Sequence, residues 1–436
     1  MLIKFSLENY LSFKDKVELS LKSSIIKEHP SNTFFIDKDK TKLLNGALLY
    51  GSNGGGKSNL LEAIGFMRDF VINSSKEKQA HERIEVTPFL LSTETLNKPS
   101  LFEIEIFTSE KHFSYSFILN REKVFFERLF HLEGKKEINH FTRVYNSDLE
   151  DYDYSISDTF AETDPINPKI VRENALMISV SSQFNGKTAQ SIVDWFQSIT
   201  LLSGTNYMDY INYTAKLLDD PQYGSTLKRL LVEANLGFID VEVEKKKITS
   251  EMLDGLPADV KKIMLSIKQD IMRVKTIHTK REKNGRPVGR VEFDLLSDES
   301  LGSQKFFALL GPIYDSLKNG TLLIIDELDA RLHPYVSRLI IDFYLTPSNN
   351  PRNAQFLFTT HNPQFMNKEI LRRDQLILVN KSDQEFSEIY SIYQHELNLR
   401  NDASYDKEYM NGNLGAVPFS FDKGKQLRIW DIASMD

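Results

Sequence analysis

The order of apolar and polar positions divides the chain into elements before any motif is considered. The opening MLIKFSLENYLSF alternates, as a half-buried strand does. Three later stretches are apolar without alternation: Gly46–Tyr50 (GALLY), the LLII of residues 321–327 (TLLIIDE), and the start of 356–366 (FLFTTHNPQFM). Each reads as a strand; the first reads as buried, and the four apolar residues in a row of the second suit a central parallel strand. Helical spacing follows the first of them, at Leu60, Leu61, Ile64 and Met67, and precedes the second, over residues 305–317. Residues 188–199 and 223–236 are amphipathic, and 238–246 alternates. Residues 274–295 read as a hairpin around Asn284-Gly285. No repeat, low-complexity tract or sustained heptad interrupts this order, so no long coiled-coil arm is expected.

The first buried strand runs into GSNGGGKS, residues 51–58, which fits G-x-x-x-x-G-K-S. A strand that stops on a glycine-rich loop and restarts as a helix aims backbone N–H groups and the positive end of the helix dipole into one hollow. The backbone from Asn53 through Gly54, Gly55 and Gly56 to Asn59 is the candidate phosphate cradle. Lys57 would reach the β- and γ-phosphates of ATP, and the Ser58 hydroxyl would take a place on Mg²⁺. Such a site also needs a carboxylate for the metal and a base for water. The second strand ends in both, Asp326 for Mg²⁺ and Glu327 as general base. Lys57 and Asp326 are separated by far more chain than a minimal nucleotide fold needs, which implies an insertion between two lobes.

Two further features suit a γ-phosphate, although each also has a plain structural explanation. Ser300, Gly302 and Gln304 form a polar turn before the predicted helix, and Ser300 would serve equally as its N-cap. The third run reads as a strand ending in His361, and a histidine at a strand tip could bond a γ-oxygen or be a capping or core residue.

The order of these motifs resembles the ATP-binding-cassette head, and more narrowly its SMC and RecF-like branch. GSNGGGKS is similar to Walker A, SLGS to the signature turn, LLIIDE to Walker B, TTH to the switch histidine, and IKFSLENYLSF to the first strand. DESLGSQKFF, IIDELDARLHP, RRDQLILVNK and SYDKEYMNGNLGAVPF further resemble the AAA-type ATP-binding subunits of bacterial abortive-infection loci, the Rlo/AbiL-like proteins. The resemblance implies an α/β fold: an ABC-ATPase head with split lobes, in which a mixed sheet is flanked by helices and joined by antiparallel β-structure, with an inserted helical and β-hairpin subdomain. The lobes are expected over 1–189 and 293–436, with the insertion over 190–292. It also implies a homodimer with two sandwiched ATP molecules. Lys57, Ser58, Asp326, Glu327 and His361 would act within one subunit, and Ser300 and Gly302 would act across the seam. The signature lacks the usual diglycine. Gln79 is the one candidate for the lobe-linking glutamine, and His333 is read as a turn residue at the seam.

Composition narrows the setting. The 436 residues are 41% hydrophobic and 26% charged and contain no cysteine, which excludes disulfides and thiolate metal sites. No run is long enough to span a membrane, and a cytoplasmic location is expected. The net charge of −7 argues against wholesale coating of nucleic acid. The hairpin carries Lys275, Lys280, Arg281, Lys283, Arg286 and Arg290, with Glu282 the only acid between the first and last of these. It is either a solvated hairpin or a contact for nucleic acid or a partner. Gly412, Gly415 and Pro418 suggest an ordered turn in the tail, with the aromatics around them docked on a core. No paired-carboxylate nuclease motif follows His361, so the chain reads as a switch for a separate effector. The expected function is ATP hydrolysis by a dimeric switch or scaffold of an anti-phage, abortive-infection-type system. The alternative is a RecF-like repair ATPase that clamps DNA. A small-molecule P-loop kinase would leave the serine–glycine turn and His361 without a role.

Overall fold

The computed structural model describes residues 1–36, 41–76, 79, 81–246, 255, 257, 259, 261, 271–394 and 404–417. The chain forms two units, Met1–Leu201 with Gln355–Asp436, and Leu202–Ala354. The architecture is mixed α/β, with helices flanking sheets and a large antiparallel sheet beside them.

The first unit opens with β1 (Leu2–Glu8), β2 (Val17–Ser20), β3 (Thr33–Phe35), β4 (Lys42–Leu44), β5 (Gly46–Tyr50) and α1 (Lys57–Asn73). Then come β6 (Ser100–Thr108), β7 (Lys111–Leu119), β8 (Val124–Glu133), β9 (Lys136–Asn146) and β10 (Asp151–Ile156), followed by α2 (Asp158–Thr163), α3 (Met177–Gln183) and α4 (Lys187–Gln197). Strands β10-β9-β8-β7-β6-β1-β2 make one seven-stranded sheet. β6 alternates buried and half-buried residues, and its Phe102 meets Phe66 of α1 at 4.9 Å between ring centres. β1 is a strand, as its alternation predicts, and residues on both of its faces are buried. Ile3 packs against Phe34 and Leu43 of the β3–β4 pair, which covers its second face.

β11 (Thr200–Ser203) leads into the second unit, which contains α5 (Asp209–Asp219), α6 (Gly224–Glu233), β12 (Asp240–Lys246), β13 (Ile271–Arg281), β14 (Pro287–Asp294), α7 (Leu301–Asn319), β15 (Leu322–Asp326) and α8 (Pro334–Leu345). β12-β13-β14 form an antiparallel sheet, and Gly285 turns the predicted hairpin with φ 83°. Helix α7 contains Pro312, which has no N–H for the carbonyl of Ala308. The Thr214 hydroxyl of α5 donates to that carbonyl at 2.9 Å, so the proline is accommodated by a neighbouring helix. A Cβ on Gly311 would lie 2.4 Å from the same hydroxyl, which accounts for the close approach of α5 and α7.

The chain returns to the first unit through β16 (Gln355–Thr359), β17 (Leu376–Lys381), β18 (Ser387–Ser391) and α9 (Tyr405–Met410). Here β5 lies between β16 and β17 and parallel to both, and β18 runs antiparallel to β17. All of β5 is buried, as the apolar run predicts. The Gln355 side chain donates to the carbonyls of Leu2 and Leu44, at 2.9 and 3.2 Å, and so joins the first strand to the central ones. The tail docks by its aromatics. Tyr409 meets Tyr50 edge to face at 4.7 Å, and Tyr390 donates to the carbonyl of Leu414 at 2.9 Å. Gly412 and Gly415 turn with φ 80° and 69°; Pro418 lies outside the described residues.

A fully buried ion pair anchors the antiparallel sheet. Glu127 of β8 accepts from the Tyr115 hydroxyl at 2.8 Å and from the N–H groups of Met177 and Ile178 at 2.7 and 3.0 Å, which caps α3. Arg143 of β9 lies 3.7 Å from this carboxylate and donates to the carbonyls of Ala175 and Arg172. Burial pushes the Glu127 carboxyl above its ordinary range, against the pull of Arg143 and the two N–H groups. Arg143→Met should therefore cost about 3–5 kcal/mol, since it strands a buried carboxylate. Adding Glu127→Gln should recover part of that loss. Urea unfolding of the wild type and of these two variants checks this. A single-variant cost no larger than that of a surface substitution would mean that the pair does not support the fold.

Candidate functional site

The first half of the site is built where β5 stops. A Cβ on Gly51 would fall 2.1 Å from the Val379 carbonyl of β17, so only glycine passes between the two strands. A Cβ on Gly55 would lie 2.9 Å from the same carbonyl. Gly56, the residue before α1, takes φ 108°, and a Cβ there would meet the Ser387 hydroxyl at 2.2 Å. Ser387 donates to the Gly55 carbonyl at 2.7 Å, and its hydroxyl is hydrogen-bonded to that of Ser12 at 2.8 Å. Gly54 differs: it has φ 76° and nothing within 4 Å of a Cβ position. The glycines thus serve mainly close packing at the back of the loop, while Asn53, Gly54 and Ser58 stand exposed at its front. Asn59 is half-buried in the first turn of α1. Lys57 is 6% exposed and folds back, its ammonium donating to the carbonyls of Gly51 and Ser52 at 2.7 and 3.0 Å.

His361 belongs to the same unit. β16 ends at Thr359, so this histidine sits in the loop beyond the strand rather than at its tip, with an exposed side chain. The Tyr50 hydroxyl, at the end of β5, donates to the His361 carbonyl at 2.7 Å, which brings the loop to the strand that launches the glycines. Gln79 contributes its backbone: its carbonyl accepts from Asn174 at 2.8 Å.

The second unit holds the other candidates. Helix α7 begins at Leu301, four residues earlier than the sequence predicts, because the Ser300 hydroxyl caps it by accepting from Ser303 N–H at 3.1 Å. Gly302 and Gln304 therefore lie in its first turn. A Cβ on Gly302 would lie 2.9 Å from the Arg331 carbonyl. Gln304 donates to the carbonyls of Leu296 and Glu299. Ser300 itself is exposed, while Asp326 and Glu327, at the end of β15, are half-buried.

The turn after β15 is tightly wound. Glu327 and Arg331 take φ 53° and 63°, in the left-handed region that side chains rarely occupy. Lys305, which the sequence did not single out, stabilises it. Fully buried, it donates to the carbonyls of Glu327, Leu328 and Ala330 at 3.2, 2.9 and 2.7 Å. Gly204 packs on the same turn. Its N–H donates to the Asp326 carbonyl at 2.6 Å, and a Cβ there would lie 2.1 Å from the Glu327 carbonyl. His333 caps α8, its ring accepting from Tyr335 N–H at 3.3 Å. Among the described residues no His, Asp and Glu cluster is sufficient to hold a metal, and no helix is long and apolar enough to cross a membrane.

Residues 47–367 match the family described as "AAA domain, putative AbiEii toxin, Type IV TA system". The chain belongs to this family. It is also similar to the "Retron Vc95 probable ATPase" of Vibrio cholerae serotype O1 biovar El Tor, at 21% identity over 383 residues, covering 78% of this chain and 70% of that protein. The AAA match spans every candidate residue from Asn53 to His361. Membership and the mixed α/β fold identify an AAA-type ATPase domain. Ser12 and Ser387 brace the glycine loop of the first unit, and Gly204 and Lys305 brace the acidic turn of the second. Their partners lie far away in sequence, so no local spacing announces them.

Burial pushes the Lys305 ammonium down to about 8, against the attraction of Asp329 and Glu327. An unfolded lysine keeps its proton to about 10.4. Over that window the unfolded chain binds more protons, so this residue's contribution to stability grows as pH rises. Lys305→Met should cost about 1–3 kcal/mol at pH 7 by leaving buried carbonyls unpaired. Its deficit relative to wild type should widen between about pH 8 and 10. Urea titrations at several pH values test this, and a constant deficit would mean that Lys305 titrates as in water.

Proposed function

We propose that this protein binds ATP with Mg²⁺ at residues 53–59 and hydrolyses it as a head-to-head dimer, forming the ATP-driven switch of an anti-phage defence system whose effector is a separate protein. The observation that carries the reading is the braced glycine loop, with exposed Asn53, Gly54 and Ser58 in front and buried Lys57 at the start of α1. A helix start preceded by φ-positive glycines suits a polyphosphate. Lys57 would exchange its two carbonyl acceptors for phosphate oxygens. Ser58 and Asp326 are hard oxygen donors of the kind Mg²⁺ takes, and the ion would neutralise charge developing on the phosphates. Glu327 would take the proton of the attacking water, and His361 would bond the γ-phosphate. Ser300 and Gly302, at the start of α7, would complete the site of the second subunit, in keeping with the SMC and RecF-like resemblance. The similarity to a retron ATPase and the AbiEii description support the defence setting.

The alternative, a RecF-like clamp on DNA, draws on the β13–β14 hairpin. Near its base, Arg273 pairs with Asp294 at 2.7 Å and Lys275 pairs with Glu292 at 2.8 Å. Lys280, Arg281, Lys283, Arg286 and Arg290 cluster toward the exposed end, suited to phosphates. Base residues Thr276 and His278 both bond Glu299, the neighbour of Ser300, at 2.5 and 2.7 Å.

Two substitutions separate binding from hydrolysis. Lys57→Ala should abolish ATP binding in calorimetry, whereas Glu327→Gln should retain binding and slow turnover by about 10²–10⁴-fold. Turnover near wild type in Glu327→Gln would assign the base elsewhere.

Complementation tests the dimer. Ser300→Arg and Lys57→Ala proteins should each be inactive, yet a heterodimer holds one site with both defects and one with neither. Mixing should restore part of the hydrolysis. Absence of recovery, with heterodimers proven by mass spectrometry and with a linked dimer carrying a single Ser300→Arg at half activity, would overturn the assignment of Ser300 to the opposite subunit.

A further inference from the structure

The second unit contains a cavity of about 410 Å³, within the range of small-ligand sites, which none of the nucleotide motifs lines. Its floor is one face of α7. Leu310, Ile313, Tyr314 and Leu317 recur at helical spacing, and Leu230 of α6 and Phe343 of α8 close the sides. The remaining wall, residues 346–353, is built rather than draped. Asn350 is 2% exposed and donates to the carbonyls of Tyr344 and Ala354 at 3.0 and 2.9 Å, while its own oxygen accepts from Ala354 N–H at 2.7 Å. Ser316 of α7 and Tyr344 of α8 are hydrogen-bonded to one another in the interior. The cavity is therefore formed before any ligand arrives, and binding need not order a loop.

Its charge is one-sided. Arg229, Lys318 and Arg352 line it, and none of its lining residues is acidic, although the chain as a whole carries −7. Lys318 is held in place by the Tyr223 hydroxyl and lies 3.8 Å above that ring, so one of the three cations is pre-positioned. Arg229 has only a loose exposed partner, Glu233 at 3.8 Å. An apolar floor beneath a cationic rim matches a ligand with a hydrocarbon body and an anionic end. A neutral apolar molecule would leave the rim unused, and a fully polar anion would waste the aliphatic floor.

We propose that this cavity is a binding site for a small amphipathic anion: an aryl or branched acyl group on the α7 face, with a carboxylate, sulfonate or phosphate between Arg229, Lys318 and Arg352. The site stands apart from the proposed ATP chemistry, so the two can fail separately. The probes are 8-anilinonaphthalene-1-sulfonate and its uncharged counterpart N-phenyl-1-naphthylamine, titrated by fluorescence against the full chain. The sulfonate should saturate one site. The double variant Arg229→Glu/Arg352→Glu should weaken the sulfonate at least tenfold and change the neutral probe by less than about twofold. Thr226→Trp, on the half-exposed rim of α6, should fill the cavity and reduce both probes; circular dichroism verifies that each variant is folded. Absence of saturable sulfonate binding, equal loss of both probes on charge reversal, or binding untouched by either variant would overturn the proposal.

Discussion

The Val379 carbonyl leaves no space beside β5 for any residue but glycine at position 51, and much of the first unit is organised around that constraint. Central parallel strands must lie about 4.8 Å apart for their ladders to form. At the end of β5 the chain has to leave the sheet under the backbone of β17, and only a residue without Cβ can turn there. Ser387 and Ser12 then pin the loop from behind, while Asn53, Gly54 and Ser58 stay exposed. Tyr50 ties the strand tip to the His361 loop on one side and to the docked tail on the other. A loop suited to phosphate is thereby rigid at its back, where strain is absorbed by packing, and open at its front.

The second unit meets a different difficulty with a buried cation. The turn after β15 carries two residues in left-handed conformation and presents several carbonyls to the interior. An ammonium with three donors satisfies three of them from one point, which no neutral side chain of similar length can do. Lys305 carries a desolvation cost for this, visible in its depressed proton affinity. The same device recurs in the first unit. Arg372, 1% exposed, is bonded to Asp374 and to the carbonyls of Ile26 and Glu28. Arg143 combines a carboxylate with the carbonyls of Ala175 and Arg172. In each case a cation rigidifies irregular backbone that has no ladder to satisfy it.

Because Lys305 lies one turn into α7, it links the start of that helix to the turn that carries Glu327. Gly302 meets the Arg331 carbonyl and Gly204 meets the Glu327 carbonyl, so the turn is gripped from three directions. A shift of α7 along its axis would have to carry the turn with it or break the clamp. The short contacts of Thr276 and His278 with Glu299 extend this linkage to the base of the hairpin. The serine–glycine turn, the acidic turn and the basic hairpin are therefore mechanically joined within one unit.

Much of this was legible in the sequence for a simple reason. The buried strands β5, β15 and β16, the helix after GSNGGGKS, and the hairpin at Asn284-Gly285 all follow from patterns set within a dozen residues, where periodicity and turn chemistry act. The glycine–lysine–serine loop and the Asp326-Glu327 pair were found as candidates in the same local way, and the family match spans them. Helix α7 starts before the predicted Lys305 because Ser300 caps it and draws the serine–glycine turn into its first turn. The Arg331 carbonyl that crowds a Cβ at Gly302 is a neighbour that local spacing does not reveal. Likewise β1 alternates in sequence but is covered on its second face by Ile3 packing on Phe34 and Leu43. The sequence alone determined the buried strands, the helix after GSNGGGKS and the residues proposed for phosphate and metal. Only the tertiary structure decided what braces them: Ser12 and Ser387 for the loop, Lys305 and Gly204 for the acidic turn, and Glu127 with Arg143 for the sheet. Those partners meet across long stretches of chain, and a side chain's burial and acceptors exist only once the chain has closed around it.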